Sequence, residues 1–216
     1  MGIIMKKIVF VLVLLVAFSL TPAVEANRFG DNSLLTVPTA DILAPTNLNL
    51  SYYMCDERDK IIFNYGLNEK VQVGANLSWW DGDDGEVDPA VKVNLLEEND
   101  GYQPELSLGF YDRNYYLVAS KMTAVADIRA HAGFFNYDDI DNELFVGVSK
   151  VLNPVSISTG SNDLQMPVTT LMAEYNEGLN LGAKFGFTDH ISADLGVVDI
   201  SDESELTLGV NFTNQF

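Results

Sequence analysis

Along residues 205–216 apolar side chains alternate with small polar ones, so that Leu206, Leu208, Val210, Phe212 and Phe216 share one face of an extended strand. Glu205, Thr207, Gly209, Asn211 and Gln215 share the other. The same pattern recurs where Val71, Val73, Ala75, Leu77 and Trp79 oppose Gln72, Gly74, Asn76 and Ser78, and where Leu179, Leu181, Ala183, Phe185 and Phe187 oppose Asn180, Gly182, Lys184 and Gly186. A soluble β-sandwich also alternates, but its outward face is rich in charge. Here the non-apolar face is mostly Gly, Asn, Ser and Thr, which suits the crowded interior of a barrel whose apolar face meets lipid.

Turn signals divide the chain into about twelve strands, within a range of 10–12, at roughly 47–55, 60–67, 70–80, 89–97, 103–112, 114–122, 126–136, 143–152, 168–176, 179–187, 190–199 and 204–216. Most have about the 9–11 residues that a tilted membrane strand requires. The expected fold is therefore all-β: an antiparallel transmembrane β-barrel over residues 47–216. One connection, from Asn153 to Pro167, is long for the side on which it falls, and it is expected to hold either a further strand or a folded-in segment.

The N-terminus fits export. Lys6 and Lys7 precede an apolar run from Ile8 to Leu20, followed by Val24-Glu25-Ala26, the pattern of a secretory signal peptide over residues 1–26 with cleavage before Asn27. The run is shorter than the roughly 20 residues of a spanning helix. Cleavage would remove Lys6, Lys7 and Glu25 and shift the net charge from −19 to about −20. So acidic a chain is unsuited to nucleic acid, whose binders present basic patches. Cys55 is the sole cysteine, so no internal disulfide can form. The predicted location is the outer membrane.

If the chain starts on the periplasmic side, most acidic residues collect in the outward loops, among them Asp56-Glu57-Arg58-Asp59, Asp81 to Asp88 and Asp199 to Glu203. Aromatic residues recur just before these loops, and Tyr52, Tyr53, Trp79, Trp80, Tyr111, Phe134 and Tyr175, with Phe216 at the other rim, are expected to form interfacial girdles. The terminal strand ending in Phe216 is the expected handle for barrel-assembly machinery.

The segment Ser33-Leu34-Leu35-Thr36-Val37-Pro38-Thr39-Ala40-Asp41-Ile42-Leu43, leading into Leu48-Asn49-Leu50-Ser51-Tyr52-Tyr53, resembles the opening of YjbH-like outer-membrane proteins. Further echoes are Tyr116-Leu117-Val118-Ala119-Ser120-Lys121 and Leu171-Met172-Ala173-Glu174-Tyr175. The chain departs by having Ser33 where Gly is usual and by being far shorter than the full exopolysaccharide proteins of that family. The resemblance implies an outer-membrane barrel serving exopolysaccharide export or surface architecture, with lipid and polysaccharide or its export machinery as partners.

Pro38 and Pro45 fix φ and remove donors, so residues 33–46 cannot be a central ladder strand. Residues 27–46 are expected to be an extended leader that positions the first strand; the alternative is a plug folded into the lumen or a segment lying under the periplasmic rim. The inward face is expected to carry Lys92, Arg129 and His131 together with Glu174, Lys184, Asp194 and Glu205, paired across the lumen because unpaired buried charge is costly.

Catalytic chemistry has little to draw on. His131 with Ser120 or Ser149 could form a nucleophilic pair, a third reading after an envelope barrel and a small diffusion or oligosaccharide channel, but no motif supports it. The expectation is a non-enzyme without cofactor or resident metal. The acidic loop Asp81-Gly82-Asp83-Asp84-Gly85-Glu86-Val87-Asp88 fails the EF-hand spacing, since Gly85 falls where a ligand is needed. Acidic loops beside anionic headgroups would need divalent cations or high salt to relieve their repulsion.

Overall fold

A computed structural model describes residues 29–30, 32–54, 58–80, 85–111, 113–137, 140–154, 157–158, 165–201 and 204–216. The expected signal peptide, Cys55 and the first part of the acidic 81–88 loop lie outside the described residues. The strands are β1 (Asn47–Met54), β2 (Arg58–Asn68), β3 (Val71–Trp80), β4 (Glu86–Leu96), β5 (Glu105–Tyr111), β6 (Asn114–Met122), β7 (Arg129–Tyr137), β8 (Ile140–Val151), β9 (Ile157–Ser158), β10 (Gln165–Met166), β11 (Val168–Asn176), β12 (Gly178–Gly186), β13 (Ile191–Val198) and β14 (Glu205–Gln215). Among the described residues, twelve strands close into one antiparallel up-and-down barrel, with β14 returning to pair with β1. β9 and β10 form a separate small hairpin inside the long connection between β8 and β11, the segment that sequence length alone had marked as unusual.

The alternation dictates the closure. Leu50, Phe63, Leu77, Phe110, Leu181 and Val210 point outward and are exposed, whereas Asn49, Ser51, Asn64, Gln72, Ser107 and Asn211 are buried inside. In water such an apolar exterior would be an aggregation surface; in hydrocarbon it is the satisfied face, and ring closure leaves no strand edge unpaired.

Two of the expected girdle positions are corrected. Tyr53 is 1% exposed and Tyr111 4%, both inside the barrel, whereas Tyr52 at 37% points out. Adjacent aromatic residues on a strand must face opposite ways, so each dyad sends only one ring to the exterior. Tyr175 and Phe216 are exposed, Trp79 and Phe134 are half-buried, and the Trp80 side chain lies outside the described residues. The inward rings have room because glycines stand directly across from them in register: Tyr53 opposite Gly209, Tyr116 opposite Gly109 and Phe145 opposite Gly133. A Cβ at any of the three glycines would collide with the facing ring.

The second correction concerns the leader. Residues 29–43 do not merely position β1; they fill the lumen. Leu34 N donates to Val37 O at 3.0 Å, Ser33 bridges Pro38, and Thr39 N reaches Asn32 O, making a tight hairpin with Leu35 and Thr36 at its tip. Phe29, Leu34, Leu35, Val37 and Ala40 of the hairpin pack with Tyr111, Tyr116, Val118, Phe135, Phe145 and Met172 of the wall as one apolar core. A barrel of twelve strands is wider than the eight-stranded kind that wall side chains alone can fill, and here the hairpin occupies part of the interior.

Candidate functional site: the plugged lumen

The hairpin is held at two places. At its tip the main chain wraps a single carboxylate on β11. Glu174 accepts hydrogen bonds from Leu35 N at 3.0 Å, Thr36 N at 2.7 Å and, more loosely, Val37 N at 3.4 Å. Thr36 Oγ1 and Asn180 Nδ2 donate to the same group. Successive amides of a turn converging on an anion form a nest, and the anion here is a buried side chain of the wall. Glycines beside the tip allow the close approach. An added Cβ on Gly147 would strike Leu34 Cδ1, and on Gly182 or Gly196 it would lie 2.6 Å from Leu35 Cδ2. Phe29, at the start of the entering limb, meets the edges of Tyr111 and Tyr116 at centroid distances of 5.4 and 5.0 Å and stacks on Phe135. Burying Phe29, Leu34, Leu35 and Val37 contributes roughly 1.5–3 kcal/mol each.

Farther along, the stem is held one bond at a time by several strands. Ala40 N donates to Ser120 Oγ at 2.8 Å, and Ser107 Oγ donates to Ala40 O at 2.6 Å. Lys92 Nζ donates to Asp41 O at 2.6 Å, and Gln72 Oε1 accepts from Leu43 N at 3.0 Å and from Asn32 Nδ2 at 3.2 Å. The Asp41 carboxylate meets Arg129 Nη2 at 2.9 Å, and the same guanidinium is bonded to Glu98 and Glu105. Lys121 reaches Glu98 at 3.2 Å. Burial alone would raise the Asp41 carboxyl, but the Arg129 guanidinium, a hydrogen bond from Thr39 and the Lys92 ammonium together hold it below the usual carboxylate range. Burial likewise opposes ionisation of Glu98, and bonds from Arg129, Met122 N and Lys121 outweigh it, bringing this carboxyl down to about 2.

Of the seven charges expected inside, Lys92, His131, Glu174, Asp194 and Glu205 are buried on the inner face, and Arg129 and Lys184 are partly buried there. Lys184 and Asp194 stand directly opposite in register, with their charged atoms 3.8 Å apart. Tyr53, expected at the interface, instead sets its hydroxyl 3.0 Å from Asp194 Oδ2 and 3.1 Å from Asn211 Oδ1. Arg129, Lys92 and Glu174 converge on the plug, a grouping that pairwise sequence reasoning did not anticipate.

The serine–histidine geometry exists. Ser120 Oγ lies 2.8 Å from His131 Nδ1, and Ser149 Oγ lies 3.2 Å from Nε2. The group on the far nitrogen is a serine, whereas a nucleophilic triad carries an orienting carboxylate or amide there. Ser120 is fully buried under Ala40, whose amide it holds. Its observed task is to fasten the plug.

Beside the plug, Phe29, Asn64, Gln72, Lys92 and Tyr111 line a cavity of about 20 Å³, room for about one water.

No protein-family model matches the chain, and no curated protein matches it. Solved structures do. The chain is similar to the KdgM porin in complex with disordered oligogalacturonate, with a TM-score of 0.53 at 13% identity over 77% of this chain and 98% of that one. It is equally similar to the KdgM porin alone, with a TM-score of 0.52 at 12% identity and the same coverage. At such identity the likeness speaks for architecture alone, a closed twelve-stranded antiparallel β-barrel.

Proposed function

We propose that this chain is a porin-like barrel of the outer membrane, a conduit for hydrophilic solutes held shut by its own N-terminal hairpin. The observation that carries the reading is the reversal of faces on a closed ring, an apolar exterior around a hydrogen-bonding lumen. The likeness to KdgM barrels supports it, and the oligogalacturonate named with one of them suggests oligosaccharides as the solute class. Lipid surrounds the exterior, and the strand ending at the exposed Phe216 is the segment offered to barrel-assembly machinery.

Planar-bilayer recording of refolded chain, restricted to protein whose gel mobility shifts on boiling, tests this. Wild type is expected to be nearly silent and Glu174→Ala to give frequent discrete steps. Folded Glu174→Ala protein that stays silent, together with silence from a chain lacking residues 29–43, would sink the conduit. A second reading, an envelope component linked to exopolysaccharide export as the YjbH-like resemblance implies, draws support from the filled lumen and requires docking only. That double silence is the outcome it expects.

A further inference from the structure

We infer that the start of β4, residues 85–89 at the outward rim, is a docking edge for an extended peptide that alternates basic and apolar residues and joins the sheet as one more strand. The inference needs the closed barrel and not an open lumen, so it goes beyond the conduit reading and does not depend on it.

Ring closure satisfies every strand along the wall, but the rim is uneven. β3 pairs with β4 as far as Ser78 opposite Glu86. On its other side β4 loses its partner sooner: the last pair is Ala90 opposite Tyr111, and β5 then turns into β6, with Tyr111 facing Asn114. Glu86, Val87, Asp88 and Pro89 therefore rise above the β5–β6 turn with a strand on one side only.

The ladder decides which backbone groups face the open side. Asn94 N donates to Lys70 O at 2.8 Å, so Asn94 bonds toward β3. Direction alternates along an antiparallel strand, so Lys92, Ala90, Asp88 and Glu86 also bond toward β3, whereas Val91, Pro89 and Val87 face away from it. Pro89 has no N–H and stands where the β5 ladder has run out, a place at which a strand tolerates proline. Val87 turns both its N–H and its C=O to the open side, where no strand pairs with it among the described residues. Gly85 follows in the same phase, and a Cβ there would meet nothing nearer than Ser78 O at 3.4 Å. Because Pro89 cannot donate, an added strand pairs from Val87 upward, and its register is fixed.

Side chains set the chemistry of the partner. Glu86 and Asp88 share the inward phase of Lys92 and lie toward the mouth of the barrel. Val87, 64% exposed, and the exposed Pro89 share the outward phase of Val91, which stands opposite the exposed Phe110. Residues 81–88 include Asp81, Asp83, Asp84, Glu86 and Asp88 and no Lys or Arg, on a chain of net charge −19. An incoming strand presents its own side chains in the same alternation, so the residues beside Glu86 and Asp88 are cationic and the one beside Val87 is apolar. A second copy of this edge would set carboxylates against carboxylates, and like charges directly opposite destabilise a strand pair. The occupant is therefore a different, basic chain.

The test is fluorescence anisotropy of a dye-labelled, capped Lys-Val-Lys-Val-Lys-Val peptide, titrated with refolded full-length barrel in non-ionic detergent at low salt, with folding checked by gel mobility. Two further peptides separate backbone pairing from charge: one N-methylated at its valines, whose N–H groups would meet Val87, and neutral Ser-Val-Ser-Val-Ser-Val. The first peptide is expected to bind about tenfold more tightly than either. Val87→Pro removes the open donor from a strand that already accepts proline at position 89, and a loss of about tenfold is expected. Gly85→Pro is read in its place where Val87→Pro does not fold. Glu86→Gln is expected to weaken binding less and to flatten its dependence on salt.

Equal binding of the N-methylated peptide, or unchanged affinity in the folded proline variant, reduces the contact to adsorption on charge and overturns the inference. Absence of binding does the same, as does a barrel that scatters light as a dimer and becomes monomeric in Val87→Pro. If Glu174→Ala conducts while the peptide fails to bind, the docking edge falls and the conduit stands. Binding with the expected losses in a barrel that never conducts supports the edge and removes the conduit.

Discussion

The tip and the stem of the plug are fastened to different stretches of the wall by different physics. The tip spends one carboxylate on several donors and buries leucines against glycines, so its bonds stand or fall together. The stem exchanges single bonds with β3, β4, β5, β6 and β7, each of which can break alone. A shared buried acceptor makes an anchor cooperative, because losing it takes a partner from all its donors at once. A ladder of separate partners makes an anchor that peels.

The contrast breaks most sharply at Glu174. Replacing it with alanine strands the amides of Leu35 and Thr36, at about 1–3 kcal/mol for each orphan, and takes one of three acceptors from Asn180 Nδ2. A drop in the thermal midpoint of the boiling-dependent gel shift, with new protease cleavage in the leader, is expected. If the midpoint holds, the tip is not a cooperative anchor.

Next in size is Gly182→Ala, whose Cβ would press on Leu35 Cδ2 at 2.6 Å and on Leu195 O at 2.8 Å. Overpacking of this kind costs about 1–3 kcal/mol. Leu35→Ala should recover part of the loss in a double-mutant cycle, and an additive result would deny the contact. At the stem, Ser107→Ala removes one bond to Ala40 O and should cost only about 1 kcal/mol, leaving the tip protected from protease.

The smallest effect concerns pH. Glu98 is held at about 2 against an ordinary 4.5, so its contribution is full above pH 4.5 and fades as pH falls toward 2. Melting followed across that window should show stem loosening that Glu98→Gln no longer displays. Equal pH dependence in both proteins would remove Glu98 from the latch.

Most of the barrel was legible because period-two alternation is a local signal. The observed strands, such as β6 at Asn114–Met122 and β11 at Val168–Asn176, coincide with the expected ones to within a few residues. Tyr53 was legible too, since it shares parity with Asn49 and Ser51, but the aromatic dyad drew attention from its phase. The sequence favours a simple leader over a plug, because the plug's partners lie far along the chain. Glu174 is 139 residues from Leu35, and nothing in Leu-Met-Ala-Glu-Tyr marks a carboxylate waiting for a turn. The usable signal was compositional: Leu34, Leu35, Val37 and Leu43 form an apolar stretch barred from the ladder by proline, beside a lumen with inward glycines at 147, 182 and 196.

The seam between β1 and β14 carries a consequence for assembly. Phe216 N donates to Thr46 O at 3.1 Å, so the last residue of the chain clasps the last residue of the leader. Joining ends so distant in sequence is slow, since loop-closure entropy is spent before any contact returns it. Until that clasp forms, the ring is an open sheet and the hairpin has no enclosure to occupy. The stopper and the bottle are therefore finished in a single late event, and a chain stalled before β14 docks is expected to be both unsealed and unstoppered.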